Sequence, residues 1–122
     1  MASNRQLLHK MRRGKFGNIK IGGFDSKKEL DFFNQLELLR QAHDPAVRVE
    51  VIERQVYFEL IPQQRNGEGR LLERRCGYLA DFRVTRGNGV VEVIDVKGYK
   101  TPEYVIKRKL MLWVHGIRVI EV

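Results

Sequence analysis

The chain predicts an α/β domain, and three observations carry that reading. Helical and extended periodicities follow one another in the order α-β-β-β-α-β across residues 25–122. Both helical stretches open with N-terminal capping residues, and the β-like runs between them are broken by glycine-bearing turns. With 122 residues and 43% hydrophobic content, there is material for one packed core and hence one domain.

Residues 1–24 contain Arg5, Lys10, Arg12, Arg13, Lys15 and Lys20 and no acid. Such a run repels itself, and it is expected to form a basic arm that lies on phosphates. Ser26-Lys27-Lys28-Glu29 is a capping-box pattern before an apolar run. The helix is expected to continue through Leu30, Phe32, Phe33, Leu36 and Leu39 to about Gln41, and Asp44-Pro45 ends it. Glu29, Phe33 and Leu36 share its inward stripe.

Val47 to Ile61 reads as one long strand or a bent pair, with Gln55, Tyr57 and Glu59 alternating with Val56, Phe58 and Leu60. Pro62 stops it. Residues 63–75 are polar, contain glycine, and read as a mobile loop bearing Arg65, Arg70, Arg74 and Arg75. Strands are expected at about Gly77–Arg86 and Val90–Lys97, joined at Gly87-Asn88-Gly89. Thr101-Pro102-Glu103 starts the second helix, with Thr as cap and Pro in the first turn. Ile106, Leu110 and Trp113 share one stripe, Trp113 is assigned to the core, and Gly116 ends the helix near His115. Ile117 to Val122 is a terminal strand.

The formal charge of +8 and pI near 9.9 are the electrostatic footprint of a nucleic-acid binder. Cys76 is the only cysteine, which excludes an intrachain disulfide and a cysteine zinc site and suits a reducing, cytoplasmic compartment. No apolar run approaches the roughly 18 residues of a membrane span, and the N-terminus lacks a secretory core.

The hairpin decides whether two acids can meet. A two-residue loop at Gly87-Asn88 pairs Arg86 with Gly89, which puts Asp81 opposite Ile94 and Asp95 on the other face. A three-residue loop pairs Arg86 with Val90 and puts Asp81 directly opposite Asp95. Such loops commonly end in a residue with positive φ, which suits Gly89. The three-residue loop is therefore predicted. Like charges placed opposite each other destabilise a sheet by up to about 1 kcal/mol, and a divalent cation would offset that.

Asp81 and Asp95 are hard oxygen donors suited to Mg²⁺ or Mn²⁺, with the Val96 carbonyl as a further candidate ligand. On a strand Asp95 and Lys97 share a face, so the Lys97 ammonium can orient an attacking water and stabilise phosphoryl charge. Glu29 has two compatible readings: a capping-box residue bonded back to Ser26, or a site acid holding a metal-bound water. Gln55 stands on a strand expected beside the hairpin, in reach of water, phosphate or a core-edge partner. Lys15, Lys20, Arg65, Arg70, Arg74, Arg75, Lys100, Lys107 and Lys109 are candidate DNA contacts. His9, His43 and His115 show no ligand spacing.

The ordered array Glu29, Asp81-x13-Asp95-x-Lys97 resembles the PD-(D/E)xK nuclease superfamily. More closely, it is similar to a phage-associated branch of uncharacterised and Holliday-junction-resolvase-like endonucleases. The matching segments are Phe16-Gly17-Asn18, Phe24 to Glu29, Gln55 to Phe58, Tyr78 to Phe82, Asp95 to Gly98 and Thr101 to Tyr104. Ala80 stands where the superfamily often has proline. The resemblance implies a restriction-endonuclease-like core, a central mixed sheet flanked by helices. It also implies Mg²⁺-dependent DNA cleavage with Asp81, Asp95 and the Val96 carbonyl as ligands. Glu29 would act through water, and Lys97 would be the catalytic lysine. Branched or junction DNA is the implied substrate, in the host cytoplasm if the chain is phage-encoded. Two coordinated cuts imply a homodimer. The competing expectations are a catalytically silent DNA-binding module, a sequence-specific restriction or transposon-end nuclease, and a basic phage structural protein.

Overall fold

A computed structural model of the chain describes residues 23, 24 and 26–122. The basic arm, with Lys15, Lys20 and the Phe16-Gly17-Asn18 segment, lies outside the described residues apart from Gly23 and Phe24. Helix α1 spans Lys27–Leu38 and runs on into a 3-10 turn at Leu39–Gln41. Ser26 caps it from an extended conformation, its Oγ accepting from the Glu29 amide at 3.1 Å. Strand β1 covers Val49–Ile61 as a single 13-residue element. The short strands β2 (Gln64–Arg65) and β3 (Leu71–Glu73) pair with each other. Strands β4 (Cys76–Arg86) and β5 (Val91–Asp95) follow, then helix α2 (Pro102–His115) and strand β6 (Ile120–Glu121). Thr101 caps α2 through the Tyr104 amide, and Gly116 ends it at φ 66°.

The central sheet has the order β1-β4-β5-β6. β1, β4 and β5 run antiparallel in turn, while β6 pairs parallel to β5 after the α2 crossover. The fold is therefore α/β, a mixed sheet flanked by two helices. Among the described residues, no helix is long and apolar enough to cross a membrane.

The β4–β5 hairpin has the odd loop. Phe82 pairs with Ile94, Arg83 with Val93, Val84 with Glu92 and Thr85 with Val91. The Arg86 amide donates to the Val90 carbonyl at 2.8 Å, and Gly89 adopts φ 86°. One more step along this register brings Asp81 opposite Asp95.

Two apolar clusters cover the sheet. Val93 belongs to the one beneath α2, with Leu60, Tyr78, Ala80, Tyr104 and Met111. Its neighbour Ile94 belongs to the one beneath α1, with Phe24, Leu36, Val49, Phe82 and Val84. Adjacent strand residues point to opposite faces, so the clusters lie on opposite faces. Ala80 and Phe82 are two apart yet fall in different clusters, so the alternation of β4 changes phase at Asp81. β1 changes phase at the facing position: Ile52 packs with the α1 cluster and Phe58 and Leu60 with the α2 cluster. Arg54 pairs with Phe82 and Val56 with Ala80, so the residue between them is Gln55. Gln55 has φ 53°, the one left-handed non-glycine residue among those described. That conformation costs on the order of 1–2 kcal/mol outside glycine.

Three expectations need correction. Residues 63–75 contain an exposed β2–β3 ribbon rather than only a loop. Asn66 organises its turn, its Oδ1 accepting from the Glu68 and Arg70 amides at 3.0 and 2.9 Å. Trp113 is not in the core but 86% exposed, and Ile106 is also exposed. The apolar residues of α2 surround much of its circumference, and it is Tyr104 and Met111, seven apart, that face the sheet. Finally, β5 ends at Asp95, so Lys97 lies beyond the strand.

Candidate active site

Asp95 ends β5 and is 2% exposed. Tyr78, on β4, donates its hydroxyl to Asp95 Oδ2. Burial and the Asp95 carboxylate both push the Tyr78 phenol well above its ordinary range, which keeps it a proton donor. Asp95 Oδ1 is buried without a hydrogen bond. The Lys97 ammonium lies 3.4 Å from it, a Coulombic contact without hydrogen-bond geometry. The same ammonium lies 4.4 Å from the Tyr104 ring centroid.

Although Lys97 is beyond the strand, β6 holds its backbone. The Val122 amide donates to the Asp95 carbonyl at 3.0 Å, and the Lys97 amide donates to the Val122 carbonyl at 3.1 Å. These two bonds prolong the parallel ladder past Asp95 and replace the regular strand that the alternation argument assumed.

Asp81 accepts the Val96 amide on Oδ2 at 2.8 Å. Its carboxyl is pushed up to about 8, first by burial, then by its hydrogen bond with Asp95 and the Asp95 charge, with Glu29 adding to the effect. The Val96 bond opposes this shift without overcoming it. Two acids therefore stand side by side where the sheet is largely shielded from water.

Glu29 is 3% exposed. Its backbone serves the α1 cap, while its Oε1 accepts from Gln55 Nε2 at 3.2 Å. The left-handed conformation of Gln55 occurs where β1 changes phase, and its amide meets the helix acid there. The Glu29 amide thus serves the cap, while its carboxylate meets Gln55 on β1.

Glu29, Gln55, Asp81, Asp95 and Lys97 are brought together, and the Val96 amide is bonded among them. Tyr78 completes the group and was missed. Its signal was its place three residues before Asp81 in a run otherwise apolar. The candidate DNA contacts scatter more widely. Arg65, Arg70, Arg74 and Arg75 are exposed along the β2–β3 ribbon and its flank, Arg75 lying 4.8 Å from the Tyr57 ring centroid. Lys100 faces Glu121 at 3.5 Å and Lys107 faces Glu103 at 3.1 Å, so both are engaged in ion pairs. Lys109 is exposed on α2.

Two adjacent acids, one with a buried oxygen that has no hydrogen bond, are hard oxygen donors of the kind a small divalent cation takes. Among the described residues, no group of three or more His, Cys, Asp or Glu side chains is arranged to hold a metal ion. A cation here would therefore rest on the Asp81–Asp95 pair and keep several waters, as Mg²⁺ commonly does.

A family model described as "Protein of unknown function (DUF1064)" matches residues 9–116. No curated protein and no solved structure matches the chain.

Proposed function

The chain belongs to the DUF1064 family, and we propose that it is a Mg²⁺-dependent endodeoxyribonuclease with a restriction-endonuclease-like core. One observation carries the reading: the odd hairpin loop brings Asp81 and Asp95 into one buried pocket with the Lys97 ammonium 3.4 Å from an unsatisfied carboxylate oxygen. The charge of +8 supports a polyanionic substrate.

When bound, Mg²⁺ would supply electrophilic polarisation of the phosphate and a lowered pKa for a bound water. Asp81 and Asp95 would hold it. Tyr78 holds the Asp95 carboxylate through Oδ2, and Oδ1 keeps its lone pairs without a hydrogen bond. Lys97, steadied by the Tyr104 ring and the β6 backbone, offers its ammonium to the attacking water or to a phosphoryl oxygen. Glu29, oriented by Gln55, is the acid available to accept the proton of that water. The substrate we favour is branched or junction DNA, cut by a symmetric pair of subunits.

The test is a cleavage panel of four-way junction, flap, single-stranded and linear DNA with Mg²⁺ or Mn²⁺. Asp95→Ala and Lys97→Ala should abolish cleavage while circular dichroism stays native. Undiminished cutting by either variant removes the mechanism. A second reading, a DNA-binding module that does not cut, is favoured by the lack of a three-acid metal group among the described residues. Metal-independent binding with no cleavage of any DNA form would select it.

A further inference from the structure

A groove of about 440 Å³ adjoins the candidate site. It lies between the outer face of α1 and the ends of β5 and β6, lined by Lys27, Lys28, Asp31, Phe32, Gln35 and Val96, with Val122 at its end. The volume is within the roughly 300–1,000 Å³ of small-ligand sites. Val96 belongs to both places: its side chain lines the groove, and its amide bonds Asp81. Lys28 ties them together, its Nζ donating to the Lys97 carbonyl at 2.9 Å.

The lining has three chemistries in one place. Phe32 is half-buried, its ring 5.6 Å from that of Phe82, so one side is backed by the core while the residue also lines the groove. Asp31 and Gln35 are exposed, one helical turn apart, and offer acceptors and a donor amide. Lys27 and Lys28 place two cations in the first turn of α1. An aromatic platform, base-edge hydrogen-bonding groups and phosphate-directed cations together are what an unpaired nucleotide requires. A paired base could not lie flat against Phe32.

We infer that this groove receives one unpaired nucleotide of the DNA strand next to the bond held at Asp81 and Asp95, with the base on Phe32, its edge toward Asp31 and Gln35, and its phosphate toward Lys27 and Lys28. The inference rests on the nuclease reading and narrows it. The substrate is DNA with at least one unstacked base beside the cut, which a junction or flap supplies and a continuous duplex does not.

The test is equilibrium binding of the full chain by fluorescence anisotropy, with Ca²⁺ in place of Mg²⁺, to a labelled junction in which single positions are made abasic in turn. Wild type should show one position near the cut where losing the base weakens binding about tenfold, in the range of base–aromatic stacking. Phe32→Leu keeps an apolar group against Phe82 and should erase that position's penalty. Exposed Gln35→Ala should leave the melting temperature unchanged and narrow the spread among the four bases there. A flat abasic scan in wild type overturns the inference, and so does an undiminished abasic penalty in Phe32→Leu. Lysine variants that weaken binding over a flat scan would show a phosphate contact only and also count against it. If Mg²⁺-dependent cutting persists in those cases, the nuclease reading stands and only the nucleotide groove fails. If no DNA form binds or is cut, both fail.

Discussion

The β4–β5 hairpin has two ends that treat charge in opposite ways. Near the turn, opposite charges face each other. Arg86 bonds Glu92 and the Val47 carbonyl, and Arg83 bonds Glu53 across β1. Arg83 holds the Glu53 carboxyl below its usual range. Five residues from Arg86 on β4 and three from Glu92 on β5, Asp81 and Asp95 are two acids drawn out of water side by side, with the Glu29 charge adding to the effect. The two ends belong to one hairpin, but the turn end is regular ladder, whereas at the acid end β4 changes phase and β5 stops. The lesson is that the turn end stabilises the hairpin and the acid end draws on that stability.

The largest effect that would sharpen this contrast is on activity. Asp95→Ala or Lys97→Ala should lower Mg²⁺-dependent cleavage by about a thousandfold or more, the scale of removing a group that acts on developing charge, as single-turnover rates would show. Substitutions at the turn end should leave the rate unchanged.

The next effect is on stability and runs opposite to activity. Asp81→Asn removes a carboxylate that the fold does not want ionised. It should abolish cleavage yet raise the melting temperature without divalent cations, by about 5 °C for each kcal/mol recovered. The pH dependence has a definite sign. Folding raises the Asp81 pKa from near 4 to about 8. Its favourable contribution is therefore complete below about 4 and declines as pH rises through 8. Thermal melts in EDTA should show wild type losing stability between neutral pH and pH 9, and Asp81→Asn should lose that slope. Added Mg²⁺ should flatten it in wild type. A wild-type protein equally stable at pH 6 and 9 in EDTA would contradict the account of the buried pair.

A smaller effect separates backbone from side chain at Gln55. Gln55→Ala keeps a Cβ in the left-handed conformation and loses the bond to Glu29. Gln55→Gly loses the same bond but relieves the backbone. Glycine should be more stable than alanine there by about 1 kcal/mol, read from urea midpoints, with cleavage reduced in both. The smallest effect belongs to the turn end. Arg86→Ala should cost roughly 1 kcal/mol and leave cleavage intact, as expected for a partly exposed ion pair.

Much of this was legible because it depends on counting. The parity of Gly87-Asn88-Gly89 fixes whether Asp81 can face Asp95, and glycine in the third place permits the turn. Ser26, Thr101 and Gly116 have side chains, or a lack of one, that do a single job at a helix end. The misses have a different character. No rule gives glutamine a positive φ, so the phase change at Gln55 and Asp81 could not be read from a run that alternates so regularly on paper. Trp113 seemed a core residue because it is large and apolar. α2, however, has apolar residues on several sides, and contacts with Tyr78 and the strands choose which side turns inward. Lys97 was placed on Asp95's side by strand alternation. It does meet Asp95, but through backbone bonds to a residue 25 positions later, a long-range pairing that no local pattern records.

That pairing has a practical consequence. Val122 is stitched on one flank to Asp95 and on the other to Lys97, so the Lys97 backbone is moored by the residue just past β6. Unzipping three residues there would set the lysine adrift without touching it. A proline or a bulky label placed at Ile120 to Val122 would tug on Lys97, whereas one mounted on the β2–β3 ribbon would not.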